Sequence, residues 1–250
     1  FYNTIDPEYN LDLIKSNTFN LKNIDAFVIS NELYDAIPFK RLIYKDHGFF
    51  EILFKHDNGI KEKHEAIDFN PFSGFDSSVY AFEDKIYSYS HSHNKLVKDI
   101  YNGLNSGIVV SIDYGYTFDQ LYEKNNIHTD ARIIRNQNIT DDIYAEDLVD
   151  ISSFVNFDLL EKYHLDIGFN KLFLGKQSDF LTDLGIHSYA KNYYNSDEKI
   201  GVKSKNLRTM QDLIDDDIFG DYLILGASKG FKGLSHKTIS DYSNKIEYIL

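Results

Sequence analysis

The sequence predicts an α/β fold built on a sheet of parallel strands. Residues 26–29 and 108–112 are two short apolar runs of the kind that forms strands covered on both faces. Between them, apolar residues at helical spacing follow His91. A strand, a helix and a second strand in this order are typical of a crossover unit with parallel strands. At 250 residues the chain can bury one sizeable core, and we expect a single domain over residues 1–250.

Composition and charge restrict the class of protein. With 42% apolar and 15% aromatic residues, the chain is expected to be globular. The net charge of −13 argues against nucleic acid as a partner, because phosphate contacts need a basic surface. No apolar run approaches the ~20 residues of a membrane-spanning helix. The absence of cysteine excludes disulfides and favours a cytoplasmic protein.

The N-terminal stretch reads as the end of a strand followed by a helix. Residues 1–5 are apolar enough for a strand end, and Asp6 then stands before Pro7 and Glu8. An aspartate N-cap, a proline at the first helical position and an acid in the first turn are helix-start signals. Asp6 is therefore explained at least as an N-cap.

An antiparallel insertion is expected within residues 40–90. Residues 41–44, 48–54 and 60–67 are strand-like, and the turns between them carry glycine after aspartate, asparagine or histidine. Asn-Gly between such runs is a strong hairpin signal. We expect this hairpin insertion to form a flap beside the site, within the crossover between the two main strands.

The rest of the chain is expected to be mixed. The helix after His91 should end at residues 105–107, and residues 117–150 are polar and irregular, with 131–134 the only strand candidate. Asn156 is expected to cap a helix that runs through His164. Late strands are predicted at 168–174 and 222–225, and late helices near 179–184 and 207–214.

Polar side chains follow both main strands. Asn31, Glu32 and Asp35 come after the first strand, and Asp113 follows the second. Ligands in open α/β sheets bind outside the carboxyl ends of the strands, so these four side chains predict a site. Acids in such places can also be simple turn formers or caps. No metal is expected, because the His91 and His93 pair lacks a nearby third ligand.

Five groups of residues form a recognisable series along the chain. They are Asn31-Glu32-x-x-Asp35-Ala36-x-Pro38, Ile112-Asp113-Tyr114-Gly115, Asp150-Ile151-Ser152 with Val155-Asn156-Phe157, Gln177 with Phe180-Leu181 and Leu184-Gly185-Ile186, and Phe219-Gly220-Asp221-Tyr222-Leu223-Ile224-Leu225. With these motifs the chain resembles the MidA family of S-adenosylmethionine-dependent methyltransferases, which includes the mitochondrial complex I assembly methyltransferases. The resemblance implies a Rossmann-like class I methyltransferase sheet with the hairpin insertion and a mixed C-terminal region. It also implies S-adenosylmethionine as cofactor, and the mitochondrial matrix as location in a eukaryote.

The same resemblance implies a role for each site residue. Asp6 and Asn31 would hold the cofactor, and Tyr114 and Asn156 would contact the substrate. Glu32, Asp35 and Asp113 would be the catalytic acids that orient the acceptor. A guanidinium acceptor suits paired carboxylates, because arginine keeps its charge and offers a fixed fork of donors, so a protein arginine is the first candidate.

The chain departs from the family at two places. The family's glycine-rich cofactor loop would precede Phe1, so we expect the natural protein to extend further toward its N-terminus. On the acceptor side, Phe154 stands where the family usually has histidine or aspartate, and Asn156 where it has aspartate. Two alternatives to a protein methyltransferase therefore stay open: a non-catalytic assembly factor with the same fold, and a methyltransferase of small molecules. The oligomeric state is also open, with a homodimer as one alternative.

Overall fold

A computed structural model describes residues 22–56, 60–124, 127–135, 138–140 and 150–231. The expectations for residues 1–5 and for Asp6 and its helix lie outside the described residues. The strands are β1 (Ile24–Asn31), β2 (Lys40–Lys45), β3 (Gly48–His56), β4 (Ile60–Ala66), β5 (Ile86–Tyr89), β6 (Leu104–Asp113), β7 (Gly115–Tyr116), β8 (Ala131–Arg135), β9 (Asn138–Thr140), β10 (Asp150–Ser153), β11 (Val155–Asn156), β12 (Asn170–Lys176) and β13 (Leu223–Lys229). The helices are α1 (His91–Gly103), α2 (Phe118–Glu123), α3 (Phe157–Ile167), α4 (Gln177–Asp183), α5 (Ile186–Tyr194) and α6 (Ile200–Asp212).

The central sheet confirms the predicted α/β class. Its strand order is β1-β6-β13-β12. Strand β1 is parallel to β6, whereas β13 is antiparallel to β6 and β12 antiparallel to β13. Helix α1 lies between β1 and β6 along the chain, as the crossover pattern predicts. The sheet thus has a parallel half and an antiparallel half.

Strand β6 is longer than expected. It begins at Leu104, so residues 105–107, predicted to end the preceding helix, belong to the strand. The Asp25 carboxylate draws this segment to β1, because it accepts hydrogen bonds from Asn105 Nδ2 at 2.9 Å and from Ser106 N at 3.1 Å. At Gly107 a Cβ would lie 2.3 Å from the carbonyl oxygen of Ala26. Only glycine allows the two strands to approach so closely here.

A second antiparallel sheet has the order β4-β3-β2-β5 and contains the three predicted hairpin strands. Asp46 and His47 both have positive φ angles, 51° and 63°, which suits a tight hairpin turn. The turn at residues 57–59 lies outside the described residues. The fourth strand, β5, was not predicted. Its four residues are mostly buried, so they lack the alternation of a half-exposed strand.

The described parts of residues 117–150 are more regular than expected. Helix α2 begins in a capping box in which Thr117 and Gln120 satisfy each other's backbone N–H groups. Strand β8 confirms the candidate at 131–134, and it pairs with β10 and β9 in a small antiparallel sheet. The three strands are short and are ordered by pairing with one another, which explains why their sequences look irregular.

The region between β12 and β13 is helical. Of the residues in α4, α5 and α6, only Gln177 is buried. The helices predicted near 179–184 and 207–214 correspond to α4 and α6, while α5 was not predicted. Its apolar positions are mainly tyrosines mixed with polar residues, which gives a weak helical pattern.

The core lies between the central sheet, α1 and α3, and continues into an aromatic cluster under the insertion. That cluster includes Phe49, Phe72, Tyr80, Tyr87 and Phe118. Strand β1 differs from the prediction, because the described residues cover only one of its faces: Phe27 is 60% exposed and Ile29 is 61% exposed. Among the described residues, no helix is long and apolar enough to cross a membrane.

Candidate active site

The predicted site residues of β1 and β6 lie at one edge of the sheet. Asn31, at the end of β1, is paired in register with Ile112. Beyond the strand, Glu32 donates its backbone N–H to the carbonyl oxygen of Ile112 at 3.0 Å. Strand β13 begins opposite Asp113. The carboxyl ends of both parallel strands therefore meet at one edge, which we call the rim.

Asp113 is fully buried and its carboxylate is bound by backbone groups. Oδ2 accepts hydrogen bonds from Tyr34 N at 3.0 Å and from Asp35 N at 3.2 Å. Oδ1 accepts from Tyr114 N at 3.0 Å. Burial first, and then the nearby Asp35 charge, raises the pKa of Asp113 to about 7 against these three donors. Asp113 thus fastens the loop after β1 to the end of β6.

Asp35 has one bound and one free oxygen. It is 6% exposed, and its Oδ2 accepts a hydrogen bond from the Tyr114 hydroxyl at 2.5 Å. That hydroxyl also contacts Ser152 Oγ. Oδ1 is buried and has no hydrogen-bond partner among the described residues. Burial, and then the bond to Asp35, raises the pKa of Tyr114, so its hydroxyl remains a donor at neutral pH.

Glu32 combines exposure with backbone strain. Its side chain is exposed, and its Oε1 accepts a long hydrogen bond of 3.4 Å from Asn31 Nδ2. Its φ angle is +48°. In this left-handed region a residue other than glycine costs roughly 1–2 kcal/mol. A strained, exposed carboxylate is better explained by a ligand than by the fold.

Two site residues were missed by the sequence analysis. The Arg132 guanidinium carbon lies 4.8 Å from the centroid of the Tyr114 ring, and the Tyr222 ring is 5.8 Å from that of Tyr114, edge to face. Burial raises the pKa of Tyr222, Glu32 raises it further, and Arg132 opposes both. Tyr222 thus lies within electrostatic range of both charges. Neither residue follows a parallel strand, so the rule that identified the acids could not find them.

The divergent Phe154 packs against the same tyrosine. Its ring lies 5.4 Å from the Tyr114 ring, and the exposed His128 ring stacks on it at 5.5 Å. Phe154 therefore supplies an apolar wall for Tyr114 where the family resemblance expects histidine or aspartate.

The other predicted site residues have different surroundings. Asn156 caps α3 as predicted, since its Oδ1 accepts the Leu159 N–H at 2.8 Å. His93 is buried and its Nε2 lies 2.9 Å from the Tyr34 carbonyl oxygen, while burial lowers its pKa to about 4. The described residues contain no cluster of three or more histidine or acidic side chains that could hold a metal.

Comparisons with known proteins identify the family. The family described as "Putative S-adenosyl-L-methionine-dependent methyltransferase" matches residues 8–173. The chain is similar to a COG1565 superfamily protein from Burkholderia thailandensis that was solved with S-adenosyl-homocysteine bound, with a TM-score of 0.72 and 19% sequence identity. The match covers 86% of this chain and 56% of that protein. A native structure of a COG1565 superfamily protein from the same organism matches with a TM-score of 0.72 and 20% sequence identity, and this match covers 86% of this chain and 58% of that protein. No curated protein matches the chain.

The structural likeness confirms the predicted methyltransferase fold, and the chain spans less than two thirds of the length of either neighbour. The family match extends over more than half of the 250 residues. The chain therefore belongs to this family of S-adenosyl-L-methionine-dependent methyltransferases.

Proposed function

We propose that the protein transfers a methyl group from S-adenosyl-L-methionine to a nitrogen of a protein side chain, with arginine as the first candidate acceptor. The observation that carries the proposal is the buried Oδ1 of Asp35, which has no hydrogen-bond partner among the described residues and comes three residues after the exposed Glu32. Two carboxylates with free acceptor capacity at a strand edge suit a guanidinium, which donates several hydrogen bonds in one plane. The finer assignment to the MidA branch belongs to the same proposal.

The rim suits the methyl donor. Asn31 and Leu33 are both exposed beside the buried acids, so an amide and an apolar surface are open to a nucleoside. Asn31 would hold the cofactor, together with Asp6 outside the described residues. The cofactor supplies an electrophilic methyl group on a sulfonium. The contribution of the protein is then to bring the acceptor nitrogen into line with that methyl group.

The acids have separate tasks. Glu32 would orient the acceptor and take up the proton that the nitrogen loses, because it is exposed and has the longest reach. Asp35 would accept a second hydrogen bond from the acceptor through Oδ1, while Tyr114 holds Oδ2. Asp113 would act as a positioning residue, because it binds the N–H of Asp35. Asn156 would support the substrate side by fixing the start of α3.

The test is a radiolabelled methyl assay on the full-length protein and its Glu32→Gln variant. The acceptors are a library of arginine peptides and the same library with citrulline, which lacks the charge. A positioned acid or base contributes about two to four orders of magnitude to a rate, so we expect Glu32→Gln to lower transfer about 100-fold or more. Calorimetry should show little change in cofactor affinity.

Glu123→Gln, an exposed change at the end of α2, is the matched control and should leave transfer unaltered. Undiminished transfer by Glu32→Gln would remove Glu32 from the mechanism. Cofactor binding without transfer to either library would instead favour the non-catalytic assembly factor, and transfer to small metabolites alone would favour the second alternative.

A further inference from the structure

Arg132 is a partly buried cation at the rim that has no acidic partner within the described part of the chain. No salt bridge joins it to a carboxylate among the described residues, and its guanidinium contacts the ring face of Tyr114. Arg41, on the neighbouring insertion, shows the contrast. It binds both oxygens of Asp130 at 2.6 to 3.1 Å and also reaches Glu62 at 3.3 Å. Two arginines close together in the fold thus differ in whether the chain supplies their counter-charge.

The acids of the rim do not account for Arg132. The pKa of Asp113 is set by burial, by Asp35 and by backbone donors, with no contribution from Arg132. Contact with an aromatic ring returns only part of the hydration that a guanidinium loses. Its fork of N–H donors matches the two oxygens of a carboxylate, and it is not fully buried, so a ligand can reach it.

We propose that Arg132 binds a carboxylate of the acceptor, so that the preferred acceptor is an arginine with an acidic residue next to it. The inference rests on the proposed function, since it assigns the second half of the same acceptor site. Tyr222 is hydrogen-bonded by Arg132, lies within range of the Glu32 charge, and contacts the Tyr114 ring at 5.8 Å. The acceptor guanidinium would face Glu32 and Asp35, and its acidic neighbour would face Arg132.

The experiment measures peptide binding by calorimetry on full-length protein saturated with S-adenosylhomocysteine, so that no turnover is needed. Three capped tetrapeptides are compared: Gly-Arg-Asp-Gly, Gly-Arg-Asn-Gly and Gly-citrulline-Asp-Gly. The variants are Arg132→Gln and Arg132→Lys. Arg135→Gln is the control, because it removes the same charge from the same strand at a position of opposite parity, which faces the other side of β8.

We expect the wild-type protein to bind the Arg-Asp peptide about 10-fold or more tightly than the Arg-Asn peptide, since a hydrogen bond to a charged group contributes about 1.5–3 kcal/mol. Arg132→Gln should abolish that preference and leave Arg-Asn binding unchanged. Arg132→Lys should keep part of the preference for the Arg-Asp peptide, and Arg135→Gln should keep the whole preference. Equal binding of both arginine peptides by the wild-type protein would overturn the inference.

Failure of the proposed function has a different signature. If the citrulline-Asp peptide binds as tightly as the Arg-Asp peptide and depends on Arg132, the carboxylate site stands but arginine is not the acceptor. If both arginine peptides bind equally tightly, and both are methylated once S-adenosylmethionine replaces S-adenosylhomocysteine, the proposed function stands and the carboxylate site is overturned. Absence of binding by all three peptides would overturn both.

Discussion

The two strand ends of the rim carry the same chemistry but use it differently. At the end of β6, Asp113 is buried and both of its oxygens accept backbone N–H groups. At the end of β1, Glu32 is exposed at a strained φ of +48°, and one oxygen of Asp35 has no partner among the described residues. A carboxylate that the backbone satisfies is explained by the fold. A carboxylate that is strained or unsatisfied needs another reason, and a ligand supplies one.

The same criterion separates the two arginines. Arg41 is held by Asp130 and Glu62 and ties the insertion to the segment before β8. Arg132 lies over the Tyr114 ring and hydrogen-bonds the Tyr222 side chain, and it forms no salt bridge with a carboxylate among the described residues. Position at a strand end or on a flap is therefore a weaker guide to function than the balance between polar groups and their partners.

The largest effect is expected when the buried carboxylate at the end of β6 is removed. Asp113→Ala leaves three backbone N–H groups without their acceptor, each costing about 1 kcal/mol or more, so we expect the free energy of unfolding to fall by about 3 kcal/mol or more. Denaturant unfolding measures it, with Asp197→Ala as an exposed control between α5 and α6. If the two variants lose equal stability, Asp113 does not fasten the rim.

The pH dependence of stability tests the same carboxylate, Asp113. The pKa of Asp113 is about 7 in the folded protein and 3.8 as the ordinary value, so between these pH values the folded state holds a proton that the unfolded state has released. Stability from this group is greatest below pH 4 and falls as pH rises toward 7, by up to about 1.4 kcal/mol per pH unit.

The measurement is the difference in unfolding free energy between the wild-type protein and Asp113→Asn at several pH values. This difference cancels the opposite contributions of the buried His93 and His164, whose pKa values burial lowers to about 4. A difference that grows in favour of the wild type as pH rises would mean that the backbone donors outweigh burial at Asp113.

Much of the fold was predictable because its signals are local. The apolar runs of β1 and β6, the crossover with α1 and the hairpin strands each depend on a few neighbouring residues. Strand β5 and helix α5 were not predictable, since both depend on partners that are distant in sequence or on weak periodicity. The exposed face of β1 at Phe27 and Ile29 is likewise invisible in a run of apolar letters.

The site was predictable only where it follows the parallel strands. The rule that ligands bind outside the carboxyl ends of strands placed Asn31, Glu32, Asp35 and Asp113 at one edge, as the parallel pairing of β1 with β6 requires. It could not show that both oxygens of Asp113 accept hydrogen bonds whereas one oxygen of Asp35 has no partner among the described residues. Arg132 and Tyr222 come from a short antiparallel strand and from the residue before β13, and only the tertiary structure brings them to Tyr114.

Substitutions of Glu32, at the end of β1, should give the smallest change in stability and the most direct test. In Glu32→Gly the left-handed conformation costs nothing, so we expect unfolding to require about 1 kcal/mol more than in Glu32→Ala, which keeps the strain. Both variants lack the carboxylate and should transfer methyl groups about 100-fold or more slowly than the wild-type protein.

The decisive measurement is thus denaturant unfolding and radiolabelled methyl transfer on one preparation of the full-length Glu32→Gly protein. If Glu32 serves function at the expense of stability, the Glu32→Gly protein is more stable than Glu32→Ala and nearly inactive in methyl transfer. A Glu32→Gly protein that transfers methyl groups at the wild-type rate would contradict the assignment of this strand end to the ligand.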